Sequence, residues 1–564
     1  MPRPATEADL GFERRPMVRW LDPHQLVDTS ARVLASGLVT SYTDSRELQA
    51  LAGGGVVDRS DQDELWFDYV SDLGDGWNST YTIARLLAQD KLDLTHDAES
   101  HPTRRGGILV MGGDQVYPVP TRTQYENRFL GPYRAARPCS PEGGAPELFA
   151  IPGSHDWYDG LVNFSNIFCR QRAIGGWTTA QTRSYFALRL PHRWWLWGVD
   201  LQFGDYLDEA QVAYFAGAAS ETMEPGDRII VCMAKEVESG RKSTEVCSDR
   251  SLGYLEREVV QPAGGDVVLY LKSGRHYYAR YEEVDGPSQL ITAGGGGAFL
   301  HPTHDLPERT DAPGDGAPAS YRRATVYPSR TRSKKLRKRI WFLPVFNIPL
   351  AGVLGGVQVL LVFMLGLHLD GRHTSIGFGD LPRALWESPI AFLLIILTIV
   401  SFGAMIRLAH DATGASRLLI GLTHSTLQFV GLAVVIVVAS RLAASLGDGV
   451  ASLLAFLAIV WVFGGIGGVV GISGYLWATN CLGFHANEAY APLHHADDKN
   501  FLRLHIDGDG ALSIYPIGVD RVGRKWRLCP DADTGAPWLE PDGDEPEPHL
   551  IEPPIVFGKT ETGS

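Results

Sequence analysis

Apolar and polar positions along this chain follow two regimes. From Leu65 to about Ile291, short apolar runs alternate with helix-like stretches. Ile108-Leu109-Val110-Met111, Leu148-Phe149-Ala150-Ile151, Trp194 to Val199, Ile229 to Cys232 and Val267 to Leu271 read as buried strands. Strands alternating with helices predict a layered α/β domain, with polar residues at strand C-termini, where open α/β sheets carry their sites. The second regime holds four apolar segments, Phe342 to Leu369, Ile390 to Ile406, Leu422 to Val438 and Val450 to Trp477. Each approaches the ~20 residues of a spanning helix and has almost no amphipathic period. They predict four transmembrane helices rather than buried helices of a soluble core. Pro344, Pro349, Gly464, Gly465, Gly467 and Gly468 would break soluble helices, and membrane bundles tolerate them. His424 and Gln428, within or near the third segment, read as interhelical hydrogen-bonding groups or as lining of a bundle interior.

The flanks set orientation and boundaries. Arg330, Arg332, Lys334, Lys335, Arg337, Lys338 and Arg339 precede the first apolar segment, and basic flanks stay cytoplasmic. Arg407 and Arg417 agree, and an even number of spans returns the C-terminus to the same side. The soluble domain is therefore expected on the cytoplasmic side of an integral membrane protein. Ala298 to Ser329 is rich in Pro, Gly and charge and reads as a linker. Phe501 to Ile506 and Ala511 to Pro516 flank Asp507-Gly508-Asp509-Gly510, a β-hairpin signal. The rest of an EF-hand is missing there, so a turn is expected rather than a calcium loop. The last ~35 residues, rich in Pro, Asp and Glu, are expected to be poorly ordered. The resulting map is an N-terminal extension (1–60), the α/β domain (61–300), a linker and basic juxtamembrane segment (301–339), the transmembrane block (340–484), a C-terminal β region packing near the soluble domain (485–530) and an acidic tail (531–564).

Composition narrows the partners. The formal net charge is −14 over 564 residues, which leaves no general basic surface and makes nucleic acid an unexpected partner. The six cysteines are scattered without a CxxC pair, so neither a disulfide framework nor a zinc knuckle is expected, and a reducing compartment fits. The polar N-terminus lacks the apolar stretch of a signal peptide. The lipid bilayer is an expected partner, and the oligomeric state is open.

Three short blocks carry the chemistry: Asp72-Leu73-Gly74-Asp75-Gly76, Gly113-Asp114-Gln115-Val116-Tyr117 and Pro152-Gly153-Ser154-His155-Asp156-Trp157. A fourth is Ser273-Gly274-Arg275-His276-Tyr277-Tyr278. Phosphate-ester hydrolysis needs a nucleophilic hydroxide and neutralised phosphoryl oxygens, which two metal ions a few ångströms apart supply. Such ions take carboxylate, imidazole, phenolate and amide-oxygen ligands. Each residue also has a plainer reading. Asp72, Asp75 and Asp114 can be turn residues, His155 a core histidine and Tyr117 ordinary packing.

These blocks resemble those of the calcineurin-like metallophosphoesterases over about residues 65 to 300. Gly113-Asp114-Gln115-Val116-Tyr117 is similar to the GDxxY form of purple acid phosphatases, Asp72-Leu73-Gly74 to the first motif in its histidine-lacking form, and Gly153-Ser154-His155-Asp156 to GNH(D/E) except at Ser154. Trp157-Tyr158-Asp159-Gly160, Arg183-Ser184-Tyr185-Phe186 and Gly294 to Leu300 resemble the membrane-attached bacterial branch. The resemblance implies a layered metallophosphoesterase sandwich with the four-helix block inserted and a small C-terminal β-hairpin region. It implies attachment to a bacterial inner membrane and hydrolysis of a phosphomonoester or phosphodiester by metal-bound hydroxide. Two divalent or mixed-valence ions (Mn, Fe or Zn) would be held by Asp72, Asp114, Tyr117, Ser154 and His276, with His155 and Asp156 as the catalytic pair. Asp114 would bridge the ions, and His155 would act on the leaving group. The departures are Ser154 for Asn, Ala234-Lys235-Glu236 where a strand should end near a metal-binding His, and Ser273-Gly274 in the last motif. His301 and His304 are either substitutes or surface histidines. These departures leave a second reading open, a degenerate phosphoesterase acting as a binding or scaffold protein at the membrane.

Overall fold

The computed structural model describes residues 3–29, 53–139, 144–201, 207–234, 246–312, 319–366, 377–390, 414–447, 449–533 and 535–558, with isolated positions between 392 and 399. The chain divides into two units, Met1–Val18 with Thr29–Ser333 and His495–Ser564, and Arg19–Asp28 with Lys334–His494.

Two nine-stranded mixed sheets form the centre of the first unit. One carries β1 (Leu65–Val70), β2 (Ile108–Met111), β3 (Glu147–Ala150) and β4 (Trp177–Thr179) as parallel neighbours. The other carries β5 (Phe186–Arg189), β6 (Trp194–Val199), β7 (Arg228–Met233), β8 (Asp266–Lys272), β9 (Tyr278–Glu283) and β10 (Gln289–Ala293). In this sheet β6, β7, β8 and β10 run parallel. Phe67, Val110, Phe149 and Leu502 from the first sheet pack with Leu196, Ile230, Leu271 and Ile291 from the second, which makes a sandwich. Helix α1 (Trp77–Ala88) buries Tyr81, Ile83 and Leu87 on the outer face of the first sheet. Phe215, Ala218 and Ala219 of the Glu209–Thr222 helix cover the outer face of the second. The layers are therefore helix, sheet, sheet, helix. Strands buried on both faces explain the continuous apolar runs in the sequence.

Three expectations about the ends are corrected. The Pro- and Gly-rich stretch after Ala298 is not a plain linker, because β11 (Arg309–Ala312) and β12 (Ala319–Tyr327) extend the second sheet beyond β9. Alternation along β12 buries Tyr321 and Tyr327 and turns Arg322 out. The C-terminal hairpin, β13 (Lys499–Ile506) and β14 (Leu512–Val519), is no separate region. β13 pairs antiparallel with β1 in the body of the first sheet, Arg503 opposite Asp68. These two are a buried ion pair at 3.1 Å. The acidic tail is not without structure among the described residues, since β15 (Pro548–Leu550) and β16 (Ile555–Phe557) pair with β14. Between them Glu552 accepts hydrogen bonds from Tyr278 Oη at 2.6 Å, Arg280 Nε at 3.0 Å, Arg280 Nη2 at 2.7 Å and Thr325 Oγ1 at 2.7 Å. Residues 1–18 of the N-terminal extension also belong to the first unit, with Phe12 stacked on Trp77 at 5.5 Å and Leu10 and Val18 buried.

Helix α2 (Arg330–Arg337) carries the basic run. The second unit holds α3 (Ile348–Gly366), α4 (Gly414–Ala444) and α5 (Val450–Ile459), which continues through a π turn into α6 (Gly465–Cys481). Among the described residues, three helices rather than the expected four are long and apolar enough to cross a membrane: Ile348–Leu365, Ile420–Ala444 and Val450–Cys481. The expected second segment, 390–406, lies largely outside the described residues. Gln428 Nε2 on α4 donates to the Gly468 carbonyl on α6 at 3.0 Å. His424, also on α4, packs against Tyr475 of α6 at 4.3 Å between ring centroids.

Candidate active site

The first three blocks leave the C-terminal ends of β1, β2 and β3, adjacent parallel strands, so the fold brings them together. Two of the loops are knitted by backbone. Asp72 N–H donates to the Gly113 carbonyl at 3.0 Å, Leu73 N–H to Asp114 at 2.9 Å and Tyr117 N–H to Gly74 at 3.0 Å. Asp72 and Asp114 both sit on left-handed backbone, φ 56° and 50°. That costs an L-residue about 1 kcal/mol each, and such strain gathers at functional sites. Gly153 is fixed by space, since a Cβ there would lie 2.1 Å from Asp114 Oδ1.

The centre of the cluster is the Tyr117 phenol. Its Oη lies 3.2 Å from Asp72 Oδ1, 3.3 Å from Asp114 Oδ2 and 3.0 Å from His276 Nε2. Burial, then the two carboxylates, holds its pKa well above the ordinary phenol value, so it is a neutral donor. Burial and the nearby Asp114 push Asp72 well up. Burial, then His301 and Lys499, push His276 well down, so its imidazole is neutral. Asp72 is otherwise satisfied by protein. Ser71 Oγ lies 2.9 Å from Oδ2, and Gly274 N–H lies 3.1 Å from each carboxylate oxygen. His155 N–H donates to Asp114 Oδ1 at 2.8 Å.

His155 is half-exposed and leans on the Tyr117 ring at 4.4 Å. Its Nδ1 meets the Pro118 carbonyl at 2.8 Å. A carbonyl only accepts, so the proton sits on Nδ1 and Nε2 is the basic nitrogen. The Asp156 carboxylate is taken up by the surrounding loops. Its Oδ2 accepts from Gly153 N–H at 2.9 Å and Gln115 N–H at 3.2 Å, and its Oδ1 accepts from Tyr125 Oη at 2.5 Å. Fully buried, it positions the second and third loops.

Among the described residues, the donors that converge fit one cation. Asp72, Asp114, Tyr117 and His276 offer two carboxylates, a phenol and a neutral imidazole, the donor types a borderline divalent ion takes. Among the described residues no three His, Cys, Asp or Glu side chains form a metal-holding cluster, so the phenol is needed to complete this set. Among the described residues, no comparable set of ligands for a second ion adjoins it. Ser154 lies half-exposed in its turn, and Ala234 presses a methyl toward Gly113. Ser273 Oγ is committed to the Gly112 carbonyl at 2.6 Å, and Gly274 offers its N–H to Asp72. His301 and His304 are not on the surface. Both are buried, His301 stacked on His276 at 4.2 Å and His304 bonded to Ser333 at 2.7 Å.

Two polar groups near the cluster escaped the sequence reading. Lys499 and Asn500 begin β13 and are fully buried, and Lys499 Nζ and both side-chain atoms of Asn500 make no hydrogen bond among the described residues. Burial brings Lys499 down to about 8, against Asp498, Asp497 and Asp75. In sequence they belong to Asp497-Asp498-Lys499-Asn500, which looks like a solvated turn. Only the pairing of β13 with β1 places them inside.

No family model and no curated protein matches the chain. Among the solved structures that align with the chain, three illustrate the level of similarity. GAP50, described as the anchor in the inner membrane complex of Plasmodium, aligns with 16% identity and a TM-score of 0.31, over 42% of this chain and 74% of that one. Purple acid phosphatase PPD1 from yellow lupin (Lupinus luteus) seeds aligns with 11% identity and a TM-score of 0.28, over 43% and 46%. PhoD aligns with 11% identity and a TM-score of 0.25, over 44% and 59%. This chain therefore spans about half the length of the lupin enzyme and less than two thirds of PhoD. Scores this low do not establish a shared fold, and the functional argument rests on the site itself.

Proposed function

We propose that this is a membrane-attached, phosphoesterase-like protein that binds a phosphate ester through one cation and has lost two-metal hydrolysis. The observation that carries the reading is the convergence of Asp72, Asp114 and His276 on the Tyr117 phenol, beside Ser154, Ala234 and Gly274, with no second set of ligands among the described residues. The cation would neutralise phosphoryl charge that the two buried carboxylates would otherwise repel. Ser71 and Gly274 hold Asp72 in place, and His155 stands at the open side as a donor or acceptor to the ester. The test is calorimetric titration of inorganic phosphate into purified protein with and without Mn²⁺. Binding should need the metal and fall at least tenfold in Asp114→Asn. Metal-independent binding would sink the proposal.

A second reading, residual hydrolysis, is favoured by the fixed His155 tautomer, which suits proton transfer at Nε2. It predicts turnover of an aryl phosphate that disappears in His155→Ala.

Membrane attachment is part of the proposal. β1 precedes the apolar helices and β13 comes after them, yet the two pair in one sheet. Chain on both sides of the block therefore lies on one side of the bilayer, which demands an even number of crossings. Three described helices are odd in number, and in this reading the apolar sequence 390–406, largely outside the described residues, would supply the fourth crossing. The basic run supports the cytoplasmic face of a bacterial inner membrane as that side.

A further inference from the structure

We infer that the entry to the first apolar helix is a binding site for the headgroup of an acidic phospholipid. The inference rests on the membrane-spanning reading and not on the chemistry of the Tyr117 cluster.

The basic run is not uniformly available. Arg330 donates to the His304 carbonyl at 2.8 Å, and Arg332 pairs with the buried Asp498 at 2.7 Å. The remaining cations, Lys334, Lys335, Arg337, Lys338 and Arg339, occupy five of six consecutive positions. Lys334, Lys335 and Lys338 are exposed. None of these three has a carboxylate partner among the described residues, and no Asp or Glu occurs from residue 316 to 369. Repulsion among cations packed this closely is unfavourable without a counter-charge.

An aromatic shelf lies immediately C-terminal to these cations. Trp341 and Phe342 are 47% and 57% exposed. Trp341 packs on Trp477 of α6 at 5.7 Å, and Arg339 lies over the Phe346 ring at 5.5 Å. The candidate span begins at Ile348. Indole rings at the end of a spanning helix sit at headgroup level, where one edge is wet and the other apolar. Charge placement for topology needs only the cations. Lysines adjoining a paired-indole shelf add the geometry of a headgroup site, phosphate above and acyl chain beside the rings. Charge complementarity selects an acidic lipid over a zwitterionic one, at about fivefold per lysine.

The experiment uses full-length protein in nanodiscs of phosphatidylcholine with a minor fraction of phosphatidylglycerol. Lipid retained after transfer to detergent is counted by native mass spectrometry. Wild-type protein should retain phosphatidylglycerol above its bulk fraction. The triple variant Lys334→Gln, Lys335→Gln, Lys338→Gln should lose that enrichment, with affinity falling on the order of 100-fold for three charges. Arg383→Gln, on an exposed residue paired with Glu387, should retain it. Bulk lipid ratios around wild type, or unchanged enrichment in the triple variant, would overturn the inference. So would displacement of the lipid by millimolar inorganic phosphate, which would mark a small-anion site. Resistance to alkaline carbonate extraction tests the membrane reading separately, and the triple variant should pass it like wild type.

Discussion

Glu552→Ala should destabilise the first unit strongly, although Glu552 lies in a stretch whose composition reads as disordered. The carboxylate is 8% exposed and receives four hydrogen bonds from Tyr278, Arg280 and Thr325, which belong to β9 and β12 of the opposite sheet. Burial opposes charge on Arg280, and Glu552 outweighs it, so the guanidinium is held above its ordinary pKa. Removing the acid leaves that guanidinium nearly buried, with the partly exposed Glu282 at 2.5 Å as its remaining carboxylate. Together with the two orphaned hydroxyls this should cost about 3–5 kcal/mol. The same tail supplies a control, because Glu545 pairs with Arg85 at 3.2 Å but is 67% exposed. Glu545→Ala should cost less than about 1 kcal/mol. At roughly 2 °C per kcal/mol for a unit of this size, the expected loss for Glu552→Ala is about 6–10 °C. Thermal unfolding of the full chain in detergent, monitored by tryptophan fluorescence, reads both variants. If Glu552→Ala melts within a degree of Glu545→Ala, the tail does not staple the two sheets, and the reasoning fails.

The same structure sets other outcomes. Lys499 is a base whose folded pKa is depressed to about 8 from an ordinary 10.5. Its stabilising share is present above 10.5 and is lost as pH falls through 8. Wild-type stability should therefore gain up to about 3 kcal/mol between those limits, and Lys499→Met should lack the rise; parallel pH–stability curves would contradict this. Asp156→Asn should cost about 1–3 kcal/mol of stability by disturbing the acceptors of Gly153, Gln115 and Tyr125, with cation affinity little changed. A tenfold loss of affinity at wild-type stability would make Asp156 part of the site after all. Single cysteines introduced near residues 12 and 545 should both react with an impermeant thiol reagent from the same face of inverted or right-side-out vesicles. Labelling from opposite faces would refute the even number of crossings.

The strands that carry the candidate site were legible because they are buried on both faces and end in Gly- and Asp-rich turns. Asp72, Asp114, Tyr117 and His276 lie together, a grouping suggested by the resemblance and not by spacing. The direction of the Asp156 side chain is not readable from its place beside His155, and its carboxylate accepts from backbone amides. β12 was hidden by the Pro- and Gly-rich composition before it, although Tyr321, Arg323, Thr325 and Tyr327 alternate. β15 and β16 have three residues each, too few to show a period, and they are held by pairing with β14 and by Glu552. The buried Lys499 illustrates the same limit. Its burial comes from long-range strand pairing, which local pattern does not encode.

The most direct test is to count Mn²⁺ bound per chain in metal-stripped, re-loaded protein while assaying aryl phosphate mono- and diester hydrolysis on the same sample. One bound ion, lost in Asp114→Asn, with no hydrolysis above His155→Ala, is the result expected of a one-cation binding site. Two bound ions with turnover that His155→Ala abolishes would show a working two-metal hydrolase and contradict the account.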